Sequence, residues 1–121
     1  MHCCLFSLEK VNNGDIDLEV VEDFGDAYQD ENGEIVHFFH TWDDGNRELV
    51  RCKKCGALLL RQWSEFHGIE DAYYTDLFPV KSREEALIFN KEFSGWAIEK
   101  EYKSEWLCST NDGWAIKNRF S

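Results

Sequence analysis

One proline, one methionine and no apolar run near the about 18 residues of a membrane span are the first absences in this 121-residue chain. With eight glycines and no Ser/Gly/Pro-rich stretch, it has no low-complexity linker, and no segment repeats. Solenoid, collagen-like and linker-joined architectures are thereby excluded. Met1–Lys10 lacks the charged start and long apolar stretch of a secretory signal, so a cytoplasmic location is expected. Catalytic signatures are missing too. There is no His-Glu-x2-His, no deaminase-type Pro-Cys-x2-Cys, no Gly-rich phosphate loop and no Gly-x-Ser-x-Gly elbow.

Basic residues are nearly absent from the first fifty positions. Thirteen carboxylates there face only Lys10 and Arg47, a balance of −11, whereas positions 51–121 carry equal numbers of each sign. Asp15 to Glu34 holds nine acids and no Lys or Arg. That field repels nucleic acid and anionic membranes and attracts basic proteins or divalent cations. A solvated face is the plainer account of such a run, and a docking surface the sharper one. The ligand alternation of an EF-hand does not fit Asp26-x3-Asp30-Glu31-x-Gly33.

What the chain does have is apolar bulk. Hydrophobic residues make up 43%, with nine Phe, five Trp and four Tyr, enough for the core of one domain over 1–121. The aromatics interleave with acids at Trp42-Asp43-Asp44 and Glu70–Asp76, a pattern that suits either core-facing rings or a surface for Lys/Arg.

Periodicity predicts mixed structure. Ile16–Val20 alternates apolar and acidic as a half-buried strand does, Asp30-Glu31-Asn32-Gly33 is hairpin-turn chemistry, and Ile35–Trp42 reads as the returning strand. Asp43-Asp44-Gly45-Asn46 reads as a second turn and Glu48–Arg51 as a short strand. Ala57–Trp63 and Ala72–Val80, the latter closing at Pro79, follow as strands. Ser82-Arg83-Glu84-Glu85 is a capping box that opens a helix over about 82–94, with Ala86, Phe89 and Phe93 on one face and Gly95 as its stop. Trp96–Glu101, Glu105–Cys108 and Trp114–Lys117 suggest further strands around an Asn111-Asp112-Gly113 turn. The expected fold is α+β: an antiparallel sheet of several short strands, one late helix and a zinc knuckle.

The knuckle is Cys52-Lys53-Lys54-Cys55-Gly56. Paired thiols at this spacing suit a tetrahedral metal, Gly56 permits a conformation other residues resist, and Lys53 and Lys54 favour ionised thiols. These five residues resemble half of a zinc ribbon, or a rubredoxin-like knuckle. The second Cys-x2-Cys of a ribbon is missing, so other ligands must complete a zinc site. His37 and His40 are nearest in sequence across the Asp43–Asn46 turn. On a straight strand, however, they face opposite ways unless a bulge intervenes. Cys108, His67, Cys3 and Cys4 stand in reserve, with His2-Cys3-Cys4 read as an unstructured terminus. A thioredoxin-like use of Cys52 and Cys55 requires a helix directly after them.

In size, acidity and aromatic content the chain is similar to the small bacterial immunity and antitoxin proteins that neutralise basic nuclease toxins. That resemblance implies a non-enzymatic protein with a basic protein partner, and the knuckle adds a structural zinc to this reading. The other reading is a small zinc enzyme or thiol redox protein centred on Cys52 and Cys55. Oligomeric state leaves no mark in the sequence.

Overall fold

A computed structural model describes residues 3–25, 27–37, 43–66, 72–92 and 102–118. Within them lie helix α1 (Leu8–Asn12), strands β1 (Leu18–Gly25), β2 (Ala27–Gln29), β3 (Ile35–His37), β4 (Asp43–Cys52), β5 (Leu58–Phe66) and β6 (Ala72–Val80), helix α2 (Arg83–Glu92), and strands β7 (Trp106–Thr110) and β8 (Gly113–Lys117). Six strands form one antiparallel sheet in the order β1-β4-β5-β6-β7-β8, and β2 and β3 pair separately. The fold is α+β, as the strand pattern and the capping box imply. No helix among the described residues is long and apolar enough to cross a membrane.

Strand alternation gives the sheet two buried faces. Leu49, Leu60, Phe78, Trp106 and Cys108 point to one side, where Ala86 of α2 and Tyr102 cover them. Val50, Cys52, Leu59, Leu77 and Leu107 point to the other, where Cys3, Leu5 and Val11 cover them. At the middle of the sheet, Leu49-Val50, Leu58-Leu59-Leu60 and Leu77-Phe78 therefore read as apolar runs instead of alternating apolar with polar, because both sides are covered there. The N-terminal segment is thus a strap. It starts at the β4–β5 end of the second face and reaches β8, where Asn12 Oδ1 accepts the Trp114 N–H at 2.9 Å. The terminus expected to be loose is packed from Cys3 onward, Cys3 being 4% exposed and Leu5 1%.

The Asp43–Asn46 turn expected from composition does not form. These residues continue β4, pairing with Phe66, Glu65, Ser64 and Trp63 of β5. Pairing with a long partner strand overrides turn propensity here. Arg47, fully buried, anchors this end: Nε donates to Gln62 Oε1 at 2.9 Å, and Nη1 donates to the Asn90 carbonyl at 3.2 Å near the end of α2. The capping box does form, with the Glu85 N–H on Ser82 Oγ at 3.2 Å and the Glu85 carboxylate accepting from the Lys81 N–H at 3.3 Å. β6 runs through Pro79 to Val80. The β6–β7 ladder spans only Thr75–Leu77, so the missing Pro79 N–H falls outside it, and Tyr102 donates to the Pro79 carbonyl at 2.6 Å. At the β2–β3 turn Gly33 takes φ +79 and its N–H closes on Asp30 at 3.1 Å, as the Asn-Gly pair implies. The strand expected over Trp96–Glu101, together with Phe93 and Gly95, lies outside the described residues.

Candidate metal centre

The turn between β4 and β5 is shaped by its own backbone. The Cys52 N–H donates to the Ala57 carbonyl at 2.8 Å, and the Gly56 N–H donates back to the Cys52 carbonyl at 2.7 Å. Closing so short a loop requires a left-handed residue, and Gly56 supplies it at φ +78. The turn aims Cys52 and Cys55 to the same side, and the strap brings Cys3 and Cys4 against them. Burial of Leu5 and a Phe6 N–H bond to the Cys3 carbonyl at 3.0 Å hold that end of the strap in place.

Four sulfurs result, each within 4.8 Å of the others. Cys3 Sγ lies 3.4 Å from Cys55 Sγ, and Cys4 Sγ lies 3.5 Å from Cys52 Sγ. A tetrahedron with zinc–sulfur bonds of about 2.3 Å has edges of about 3.8 Å, so the cluster is already close to ligand geometry. All four cysteines are free, and exposure is graded across them: Cys3 and Cys52 buried, Cys4 half-buried and Cys55 exposed. The group can hold a metal ion.

Electrostatics differentiates the sulfurs. Backbone N–H groups of Cys4 and Ala57 point at Cys55 and lower its thiol to about 6. Burial pushes the Cys3 thiol well above its usual range, and a bond with Cys52 pushes Cys4 up. The lysines of the turn spend most of their charge elsewhere. Lys54 pairs with Asp15, and Lys53 lies 3.8 Å from Asp17, whose carbonyl also accepts the Lys53 N–H at 2.9 Å.

Those two pairs begin a ladder along β1. Glu19 meets Arg51 at 3.0 Å and Glu22 meets Arg83 at 2.9 Å. Four of the nine acids between Asp15 and Glu34 are therefore met by cations from positions 51–83. Asp30, Glu31 and Glu34 at the β2–β3 turn make no ion pair among the described residues. Asp23 on β1 likewise makes no ion pair among the described residues.

Cys52 and Cys55 stand together, as their spacing implies. Among the described residues their companions are Cys3 and Cys4. His37 lies exposed on β3, opposite Ala27, in the separate two-stranded sheet, and is not among the clustered ligand atoms. With Asp43–Cys52 extended, the strand carries the chain roughly 30 Å, and the turn that would have folded the histidines back onto the cysteines is gone. His40 and His67 lie outside the described residues. Cys108 is buried on the opposite face of the sheet. The thioredoxin-like arrangement is absent as well, since Gly56 leads into strand β5 and not into a helix. Comparison with known proteins finds no matching family model, no similar curated protein and no similar solved structure.

Proposed function

We propose that Cys3, Cys4, Cys52 and Cys55 bind one structural zinc ion, and that the protein acts without catalysis, by binding a basic protein partner. One observation carries the zinc reading: two segments some fifty residues apart in sequence present four sulfurs within 4.8 Å of one another. Four soft thiolate ligands within reach of one ion select zinc over hard cations. They also fill the coordination sphere, whereas a catalytic zinc keeps a position open for water. The ion would staple the strap to the β4–β5 turn, and its binding energy would be folding energy. Reduced thiols of this kind suit a reducing, cytoplasmic setting.

The partner reading rests on the charge of −11 and on where it remains unpaired. Glu31 and Glu34 are exposed at the β2–β3 turn. Beside them a cleft of about 380 Å³, lined by Gln29, Asp30, Glu31, Ile88, Lys91 and Glu92, lies between that turn and α2. A Lys/Arg-rich segment would meet three carboxylates there against the single cation Lys91.

Elemental analysis of protein purified without added metal tests the first half: about one zinc per chain, and a melt that collapses on chelation, are expected. A metal-free protein whose melt ignores chelator refutes it. For the second half, the wild type is expected to retain basic proteins at low salt and release them at high salt, and the pair Glu31→Lys and Glu34→Lys to retain few. Retention unchanged by salt and by the charge reversals refutes the docking surface.

A further inference from the structure

We propose that the four-cysteine centre is also an oxidation site, at which a hydroperoxide forms two cross-links, Cys3–Cys55 and Cys4–Cys52, and so replaces the metal with covalent bonds that keep the strap in place. The site is the one read above as a zinc centre, but only the metal-release step rests on that reading.

The geometry selects both the entry point and the pairing. Cys55 is the exposed sulfur of the four, so an oxidant in solvent meets it first. Its close neighbour is Cys3 at 3.4 Å, buried and out of competition from solvent. The second short approach, Cys4 to Cys52 at 3.5 Å, uses the two sulfurs that remain. A disulfide is about 2.05 Å long, so each pair closes by roughly 1.4 Å. Within the knuckle, Cys52 and Cys55 lie within the same 4.8 Å, so a bridge between them is the competing product.

The chemistry balances. The Cys55 thiolate attacks one peroxide oxygen, the O–O bond breaks, and the departing hydroxide takes up a proton as water. The sulfenic acid left on Cys55 is attacked by the Cys3 sulfur, and its oxygen leaves as a second water. Cys4 and Cys52 repeat the sequence. Four thiolates lose four electrons to two peroxides, four protons are consumed, four waters form, and the metal is left without a ligand.

The pairing has a structural consequence. Both bridges join the strap to the turn, across 52 and 48 residues of chain. A bridge within Cys52–Cys55 or within Cys3–Cys4 would join neighbours and hold nothing. Oxidised, metal-free protein therefore keeps the strap tied over Val50, Leu59, Leu77 and Leu107, whereas in reduced, metal-free protein packing alone holds it.

The test treats the purified chain with hydrogen peroxide and follows thiols, released zinc and linkage together. Loss of four of the five thiols is expected, with Cys108 spared. One zinc should leave per two bridges, and tandem mass spectrometry should pair 3 with 55 and 4 with 52. After chelation, trypsin should cut after exposed Lys10 readily in the reduced protein and at least tenfold more slowly in the oxidised one. Bridges confined to Cys52–Cys55 or Cys3–Cys4, sulfinic acids without bridges, or thiols indifferent to peroxide each overturn the proposal. Should the chain carry no zinc but form these two bridges, the oxidation site stands and the zinc reading falls. Zinc held by peroxide-resistant thiols does the reverse: the zinc reading stands and the oxidation site falls.

Discussion

Replacing Cys3 with serine isolates the contribution of the strap to the metal centre. The two side chains are nearly equal in volume, so at a site 4% exposed the substitution opens no cavity. Two costs remain. Structural zinc sites contribute about 10–16 kcal/mol to folding, so one ligand of four is worth roughly 3 kcal/mol. A hydroxyl buried without its own partner adds about 1–3 kcal/mol. Together they take roughly 4–6 kcal/mol from a domain whose whole stability is about 5–15 kcal/mol. At about 3–5 °C per kcal/mol for a domain this size, the melting temperature falls by roughly 20 °C. The matched control is Cys108→Ser, a thiol 2% exposed on the opposite face of the sheet and outside the sulfur group. It carries only the hydroxyl penalty, about 1–3 kcal/mol. Scanning calorimetry with and without chelator separates the two costs. Chelator should destabilise wild type and Cys108→Ser equally and Cys3→Ser by roughly 3 kcal/mol less. Equal shifts in the two variants, with a wild type blind to chelator, would refute a metal-stapled strap.

Metal uptake should depend on pH. Cys55 stays a thiolate down to about 6, while Cys3 and Cys4 hold their protons well above it. Binding must displace at least those two protons, so apparent zinc affinity should rise about a hundredfold per pH unit between 6 and 8. A flat profile in chelator competition would contradict it. In the reduced, metal-free protein the lowered Cys55 value gives stability that is present above the ordinary thiol value of 9.0 and lost as pH falls toward about 6. The raised Cys3 and Cys4 values act oppositely, their contribution being lost as pH climbs past 9.0. Gly56→Ala meets no atom within 4 Å of the added Cβ, so its cost is the left-handed backbone alone, about 1–2 kcal/mol. A neutral result in urea denaturation would mean that the turn is not held at positive φ. Arg47→Met preserves bulk but strips the donors from Gln62 Oε1 and the Asn90 carbonyl. A loss of about 3 kcal/mol is expected, and under 1 kcal/mol in the same assay would count against the buried link between β4 and α2.

The fold was legible where local chemistry and tertiary demand agree. Ser82 and Glu85 announce the helix because the capping box is a contact between near neighbours, and it forms at its place. Asn32-Gly33 announces its turn for the same reason. Asp43–Asn46 misleads because four turn-forming residues are recruited into β4 by nine pairings with β5, and no local rule sees that partner. Burial on both faces of the sheet also hid the sheet's continuity, since Leu49-Val50 and Leu58-Leu59-Leu60 do not alternate in polarity.

Half of the candidate centre was legible for a similar reason. Cys52-x2-Cys55-Gly56 is a self-contained turn, so its spacing and its glycine carry the geometry within five residues. Cys3 and Cys4 join it through contacts across about fifty residues, which spacing does not encode. The available signal lay in the pattern around them. Cys3, Leu5 and Val11 are all buried, and an apolar stripe so close to the start belongs to a segment with a surface to cover. Read with that stripe, two thiols at the head of the strap match the two thiols at the turn in number and in ligand type. Sequence proximity favoured the histidines, but a ten-residue strand stands between His37 and the turn, and His37 is not in the sulfur group. A closed tetrahedral site needs side chains from two directions, and a single β-turn supplies only one.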